Sequence, residues 1–187
     1  IFIRQTMIVS CNSIIEYSYL IKKTSFPISL IPIIKIFSGL IVHTAIIIFV
    51  ALLLVFGYRI YPTIYWIQII YYIFAIIVLL TGISLFVASV NIFRKDTTHM
   101  INVLVSMLFW ATPILWPYAM LTGNLKYIAL LNPFFYITEG YRYTFIQGTW
   151  FFEYKEMNLY FWTVTALIFF TGIYTFNKLK PDIGDEL

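Results

Sequence analysis

The stretch IPIIKIFSGLIVHTAIIIFVALLLVF, residues 31–56, decides the fold of this chain. Its only ionisable side chains are Lys35 and His43. A helix needs about 20 apolar residues to cross the roughly 30 Å hydrocarbon core of a bilayer, and this run supplies them. Barrel strands alternate apolar and polar residues, whereas this run is continuous. The stretch therefore predicts a transmembrane helix, and with it an all-α integral membrane protein.

Three further apolar runs, at residues 64–93, 100–116 and 159–176, extend this prediction to about four spans. Hydrophobic residues make up 61% of the 187 residues and charged residues 11%, and the mean hydropathy is +0.90. A soluble domain carries about 25% charged residues. The chain begins at Ile1 within an apolar run, so we expect the N-terminal part of a longer protein to precede it.

The positions of lysine and arginine predict the orientation, because the cytoplasmic loops of membrane proteins are enriched in both. We place the N-terminal segment and the C-terminal tail in the cytoplasm. Of the 12 lysines and arginines, 4 then lie on the outer side, namely Arg59, Lys126, Arg142 and Lys155. The other eight lysines and arginines lie on the cytoplasmic side. The net charge of +4 is therefore interpreted as a consequence of the membrane topology. We expect no nucleic-acid partner.

Several kinds of chemistry have no sequence signal. The phosphate-binding pattern G-x-x-x-x-G-K-[ST] does not occur, so we expect no ATP binding by that route and no cofactor in this chain. His43, His99 and the single Cys11 are far apart in sequence, so we predict no metal site and no catalytic site. No Asp or Glu lies in the middle of a predicted span, which disfavours an ion-coupled carrier.

Residues 6–30 form a predicted non-spanning segment on the cytoplasmic side. Ile14, Ile15, Tyr19 and the lysine pair at 22–23 indicate a short amphipathic helix that ends before Pro27. Such a helix either rests on anionic lipid or docks a cytoplasmic partner. The candidate docking residues are Asn12, Glu16, Tyr19, Lys22 and Lys23.

Residues 118–158 form a second non-spanning segment, predicted on the outer side. Its centre, LNPFFYITEGYR at residues 131–142, is too short and too polar to span a bilayer. We expect a short helix, a break at Asn132-Pro133, and a second helix in which Glu139 and Arg142 pair at i, i+3. The segment is either a re-entrant gate or an aromatic-rich helix pair at the interface. The candidate gate residues are Asn132, Pro133, Tyr136, Glu139 and Arg142.

Three stretches together resemble the membrane subunit of ABC-2 type exporters, in the branch that exports polysaccharide and teichoic acid. The first is residues 12–32, with LIKK at 20–23 and Phe26-Pro27. The second joins FRKD at 93–96 to FWATPI at 109–114. The third is residues 131–142. They resemble, in this order, the coupling segment of the family, its short inner loop with the next span, and its outer re-entrant segment.

The resemblance implies the C-terminal part of a six-span transmembrane domain, with about four spans, a coupling helix and an outer re-entrant helix pair. It implies a homodimer in the plasma membrane, surrounded by membrane lipid, that works with a separate cytoplasmic ATPase carrying ATP and Mg²⁺. It further implies a lipid-linked glycan as cargo, moved from the inner to the outer leaflet.

Aromatic side chains in the spans are candidates for the cargo path, because aromatic faces stack on sugar rings and tolerate lipid. They are Tyr65, Trp66, Phe109, Trp110 and Trp116. Ordinary packing is the alternative role for each. Other functions stay open: an ABC-2 permease for a drug, a peptide or another lipid, a membrane-embedded glycan-processing enzyme, or a channel. An enzyme would require clustered carboxylates or histidines, and a channel a polar stripe along one span.

Overall fold

The computed structural model describes residues 1–23, 26–112, 120 and 129–187. Throughout these residues the regular elements are helical, which confirms the all-α prediction. The helices are α1 (Phe2–Glu16), α2 (Ser18–Lys23), α3 (Leu30–Tyr58), α4 (Ile69–Phe93), α5 (Thr97–Ala111), α6 (Pro133–Arg142), α7 (Lys155–Leu179) and α8 (Ile183–Glu186). A 3-10 turn, Ile64–Gln68, leads directly into α4.

Among the described residues, three helices are long and apolar enough to cross a membrane: Leu30–Tyr58, Ile64–Phe93 and Lys155–Asp182. The helix in the remaining predicted span, α5, is shorter and ends at Ala111. Residues 113–116 of that predicted span, including Trp116, lie outside the described part of the chain. The number of spans and their boundaries stay predictions.

The predicted amphipathic helix within residues 12–27 is two helices in the structure. The backbone leaves the helical conformation at Tyr17, where φ is −102° and ψ is 21°. The amide of Tyr17 still donates to the Ser13 carbonyl at 3.1 Å, and the amide of Leu20 donates to the Tyr17 carbonyl at 3.0 Å. The helix is thus interrupted at Tyr17 while these two hydrogen bonds are kept, and α2 begins at Ser18.

The helices divide between two compact units, of which the first comprises Ile1–Thr44, Ile77–Val105 and Ala166–Leu187. Its apolar core joins α1, α4, α7 and α8, and consists of Ile14, Leu85, Ala88, Ile92, Phe176 and Ile183. Within this unit α4 and α7 approach closely, since a Cβ on Gly172 would collide with the carbonyl group of Gly82. Small residues permit such close approach of helix backbones in membranes.

The second unit comprises Ala45–Ile76 and Ser106–Thr165. It contains α6, the first two turns of α4, and the first part of α7. Six of the ten α6 residues are buried, including the aromatic run from Phe134 to Tyr136. The large rings Tyr72, Phe135 and Phe161 are fully buried in this unit. A short helix packed so completely cannot be a surface connection, and it positions the candidate site.

Candidate functional site

The site begins with the cap of α6 at Asn132. The Asn132 Oδ1 accepts a hydrogen bond from the Phe134 amide at 3.0 Å, and Pro133 occupies the first helical turn. The Asn132 Nδ2 donates to Thr112 Oγ1 at 2.7 Å and to the Leu108 carbonyl at 3.3 Å. Asparagine is a preferred N-cap residue, and proline suits the first position of a helix. Asn132 therefore both starts α6 and ties it to the end of α5.

The packing of α6 leaves no space around Gly140. A Cβ at Gly140 would overlap the ring of Tyr72, so only glycine fits there. The helix has ten residues, and at a rise of 1.5 Å per residue it spans about 15 Å, roughly half of the hydrocarbon thickness. Burial raises the pKa of the Tyr136 and Tyr141 phenols above its ordinary value, so both phenols are neutral at physiological pH.

The Tyr71 hydroxyl is the polar centre of this unit. It donates to Asn158 Oδ1 at 3.1 Å and accepts from the Trp162 Nε1 at 2.8 Å. It also lies 2.9 Å from the Tyr136 hydroxyl. A phenol has one proton to donate, so with Asn158 as acceptor the Tyr136 hydroxyl is the donor to Tyr71. One hydroxyl on α4 thereby links α6 and α7.

The ion pair predicted between Glu139 and Arg142 is present. Arg142 Nη1 contacts Glu139 Oε1 on adjacent turns of α6. The Glu139 side chain is 5% exposed and that of Arg142 is 23% exposed. A carboxylate that is nearly excluded from water requires such a partner, because an isolated buried charge is costly.

The chain that follows α6 is clamped by Gln68. After a π turn at Tyr143–Gln147, Gly148 adopts a left-handed conformation with φ of 64°. The buried Gln68 then donates its Nε2 to the Thr149 carbonyl at 2.8 Å and accepts the Phe151 amide on Oε1 at 2.9 Å. Sequence reasoning missed Gln68 and did not predict the hydrogen-bonding role of Tyr71. The available signal for Gln68 was a lone amide at the start of an apolar run.

A cavity of about 150 Å³ opens beside the start of α6. Its lining is Leu130, Asn132, Pro133, Phe135, Tyr136, Glu156, Met157 and Tyr160. The Tyr160 hydroxyl donates to the Leu131 carbonyl at 2.8 Å, which fixes α7 beside the cap of α6. All five candidate gate residues thus belong to one packed body, although two of them, Glu139 and Arg142, do not line the cavity.

The candidate docking residues lie in the first unit and do not form one surface. Tyr19 is 60% exposed, and Lys22 and Lys23 are exposed beside it on α2. Glu16 is held by Lys35 at 3.5 Å. Asn12 is different, because its Oδ1 accepts from Thr98 at 2.8 Å inside the unit. Its side chain therefore joins helices rather than presenting itself to a partner.

The aromatic side chains predicted to line a cargo path separate into two pairs. Tyr65 packs on Trp150 with ring centroids 5.2 Å apart, and Trp66 meets Phe145 edge-on at 5.0 Å. Phe109 and Trp110 contact each other at 5.7 Å, and Trp110 is 67% exposed. Tyr65 and Trp66 thus support the chain after α6. Trp116 lies outside the described residues.

No three histidine, cysteine, aspartate or glutamate side chains cluster as a metal site within the described ranges. The polar groups of the site are instead amides, hydroxyls and one ion pair. Such groups can hold a helix in place and can exchange hydrogen bonds, which suits a moving structural element.

Exchange of either charged residue, as Glu139→Gln or Arg142→Gln, is expected to destabilise the protein, because the remaining charge stays in a poorly solvated place. Breaking a fully buried pair costs about 3–5 kcal/mol, and breaking an exposed pair costs about 0–1 kcal/mol. Since Arg142 keeps 23% of its side chain exposed, an intermediate cost is expected. Thermal unfolding of the detergent-solubilised protein measures it.

Glu156→Gln is the matched control, because Glu156 is an exposed carboxylate in the first turn of α7. The double variant Glu139→Gln with Arg142→Gln should be no less stable than the worse single variant. Unfolding temperatures equal to wild type in both single variants would show that the pair is a solvated contact.

Comparison with known proteins agrees with this architecture. Residues 1–146 match the family model described as ABC-2 type transporter. Two relatives from Klebsiella pneumoniae are each named O-antigen export system permease protein RfbA. They are 31% and 32% identical over 180 and 181 residues, and each alignment covers 95% of this chain and 68% of the relative. The chain belongs to the ABC-2 type transporter family of membrane proteins.

Proposed function

We propose that this chain is the permease subunit of an ATP-driven exporter that moves a lipid-linked cell-surface glycan across the plasma membrane. The observation that carries the proposal is the similarity to two permeases named for O-antigen export, which extends over 95% of the chain. A match of that extent includes every element of the candidate site. The name of these relatives therefore supports a cell-surface glycan as the cargo of this chain.

Membership of the ABC-2 family implies a partner ATPase subunit, and ATP and Mg²⁺ belong to that partner. We place the docking surface on α2, where Tyr19, Lys22 and Lys23 are exposed. Glu16 and Lys35 support it, since Lys35 bonds Glu16 and also lies 4.6 Å from the centre of the Tyr17 ring. This arrangement fixes the turn between α1 and α2 against α3, so that a push on α2 is transmitted to the helices.

In this proposal α6 is the gate on the outer side. Its start is held by Asn132, its middle by Tyr136 and Tyr71, and the chain that follows it by Gln68. Only a few hydrogen bonds hold α6 to its neighbours. When these bonds exchange partners, α6 can move as a rigid unit. The Glu139–Arg142 pair remains within α6 during such a movement and keeps both charges compensated.

The orientation and assembly are part of the same proposal. Residues 6–30 and 178–187 face the cytoplasm, and residues 118–158 face outward. Two copies form the transport unit within the lipid bilayer, and Phe109 and Trp110 supply exposed aromatic surface for cargo. A permease for a drug, a peptide or another lipid is the alternative that the fold equally permits.

Reconstitution into liposomes with the cognate ATPase and a fluorescent polyprenyl-linked glycan tests the function. We expect label to reach the opposite leaflet only with ATP and Mg²⁺ present, measured by quenching with an impermeant reagent. The ATPase alone in liposomes is the control. Nucleotide-dependent movement of a hydrophobic drug, with no movement of the glycan, would replace this proposal with the drug-permease alternative.

Cysteine cross-linking tests the docking surface. A cysteine at Tyr19 is expected to cross-link to the ATPase with a short reagent, because that side chain is 60% exposed on α2. A cysteine at Tyr174, which is 68% exposed on α7, is the matched control and should not react with the partner. The native Cys11 is fully buried and does not compete. An intact complex without any Tyr19 cross-link would contradict the assignment of α2.

A further inference from the structure

A partly buried polar cluster in the first unit joins α1, α4 and α5. Its members are Asn12, Asn91 and Thr98. The Asn91 Nδ2 donates to Asn12 Oδ1 at 3.2 Å and to the Cys11 carbonyl at 3.0 Å. Asn91 is 1% exposed, whereas Asn12 and Thr98 are half-buried. The three side chains belong to three different helices and lie close to the sharp turn at residues 94–97.

The Thr98 hydroxyl has two acceptors and a single proton. Asn12 Oδ1 lies 2.8 Å away and Asn91 Oδ1 lies 3.1 Å away. A threonine hydroxyl can donate fully to only one of them at a time. The cluster therefore has two arrangements of similar geometry, and Thr98 keeps a hydrogen bond in both. Coupling between two distant sites requires an element with two discrete arrangements, and this cluster has two.

The cluster is connected to the proposed docking segment. Asn12 lies one turn before Glu16, where α1 ends and the chain turns into α2. The neighbouring Ile14 is fully buried in the core of this unit, and Ile21 of α2 packs against the same core. A displacement of α2 consequently reaches Asn12 through packed side chains. On the far side of the cluster, Thr97 and Thr98 begin α5.

We propose that Thr98 is a positioning residue for energy coupling, whose hydroxyl exchanges between Asn12 and Asn91 as α1 and α2 move. This proposal rests on the proposed function, because it requires a partner that pushes on α2. The exchange keeps α1, α4 and α5 joined in both arrangements, so that ATP-driven displacement of α1 is passed to the inner ends of α4 and α5.

The test compares Thr98→Val, which keeps the shape and removes the hydroxyl, with Thr98→Ser, which keeps the hydroxyl. Each is reconstituted with the ATPase in glycan-loaded liposomes, and the ATP hydrolysed per glycan exported is measured. For Thr98→Val this ratio should rise at least about fivefold, the lower range of allosteric coupling factors. For Thr98→Ser it should stay near the wild-type value. Cross-linking at Tyr19 should remain unchanged in both.

If Thr98 has only a structural role, Thr98→Val should lower ATP hydrolysis and glycan export together. The ratio of ATP hydrolysed to glycan exported would then stay unchanged, and this result would overturn the proposal. Asn12→Leu is a second variant that removes the acceptor shared by both partners, and it should raise the ratio as well. Failure of both Thr98→Val and Asn12→Leu to assemble would assign the cluster to folding alone and also overturn it. Absence of export in wild type would instead refute the proposed function.

Discussion

The interior of a bilayer contains no water to satisfy a polar group, and this constraint explains the hydrogen bonds of three large polar side chains in the second unit. An unpaired amide or hydroxyl in hydrocarbon costs several kcal/mol. Gln68, Tyr71 and Asn132 each therefore make two or more hydrogen bonds, and each joins segments far apart in sequence. The polar groups thereby fix the positions of helices that apolar packing alone would leave free to slide.

The same constraint explains why the two candidate functional regions are built differently. The short helix α6 is held by side chains of its neighbours, with Tyr71 as the common partner of Tyr136, Asn158 and Trp162. The docking region is held by Lys35 and by the cluster around Asn91. A gate and a coupling element both need hydrogen bonds that can break and re-form one at a time. Small polar clusters provide such bonds, and a continuous apolar interface does not.

Sequence reasoning succeeded where the signal is local. A continuous apolar run predicts a helix, Asn132-Pro133 predicts a helix start, and Glu139 with Arg142 predicts an ion pair at i, i+3. It failed where partners are distant in sequence. Gly82 and Gly172 are single glycines without a repeat, yet they face each other on two helices. The bonds that join Asn12 to Asn91 and Thr98, 79 and 86 residues away, leave no periodic pattern, so the sequence did not predict them.

Hydrogen–deuterium exchange of the chain in lipid nanodiscs tests the central claim, which is that α6 is a helix shielded from water. The account expects the backbone amides of residues 135–142 to exchange as slowly as those in the middle of α4. The amides of the exposed residues Tyr61 and Thr63 provide the fast reference within the same protein. Exchange of the α6 amides at the rate of those two amides would show that the segment is open to water, and would contradict the account.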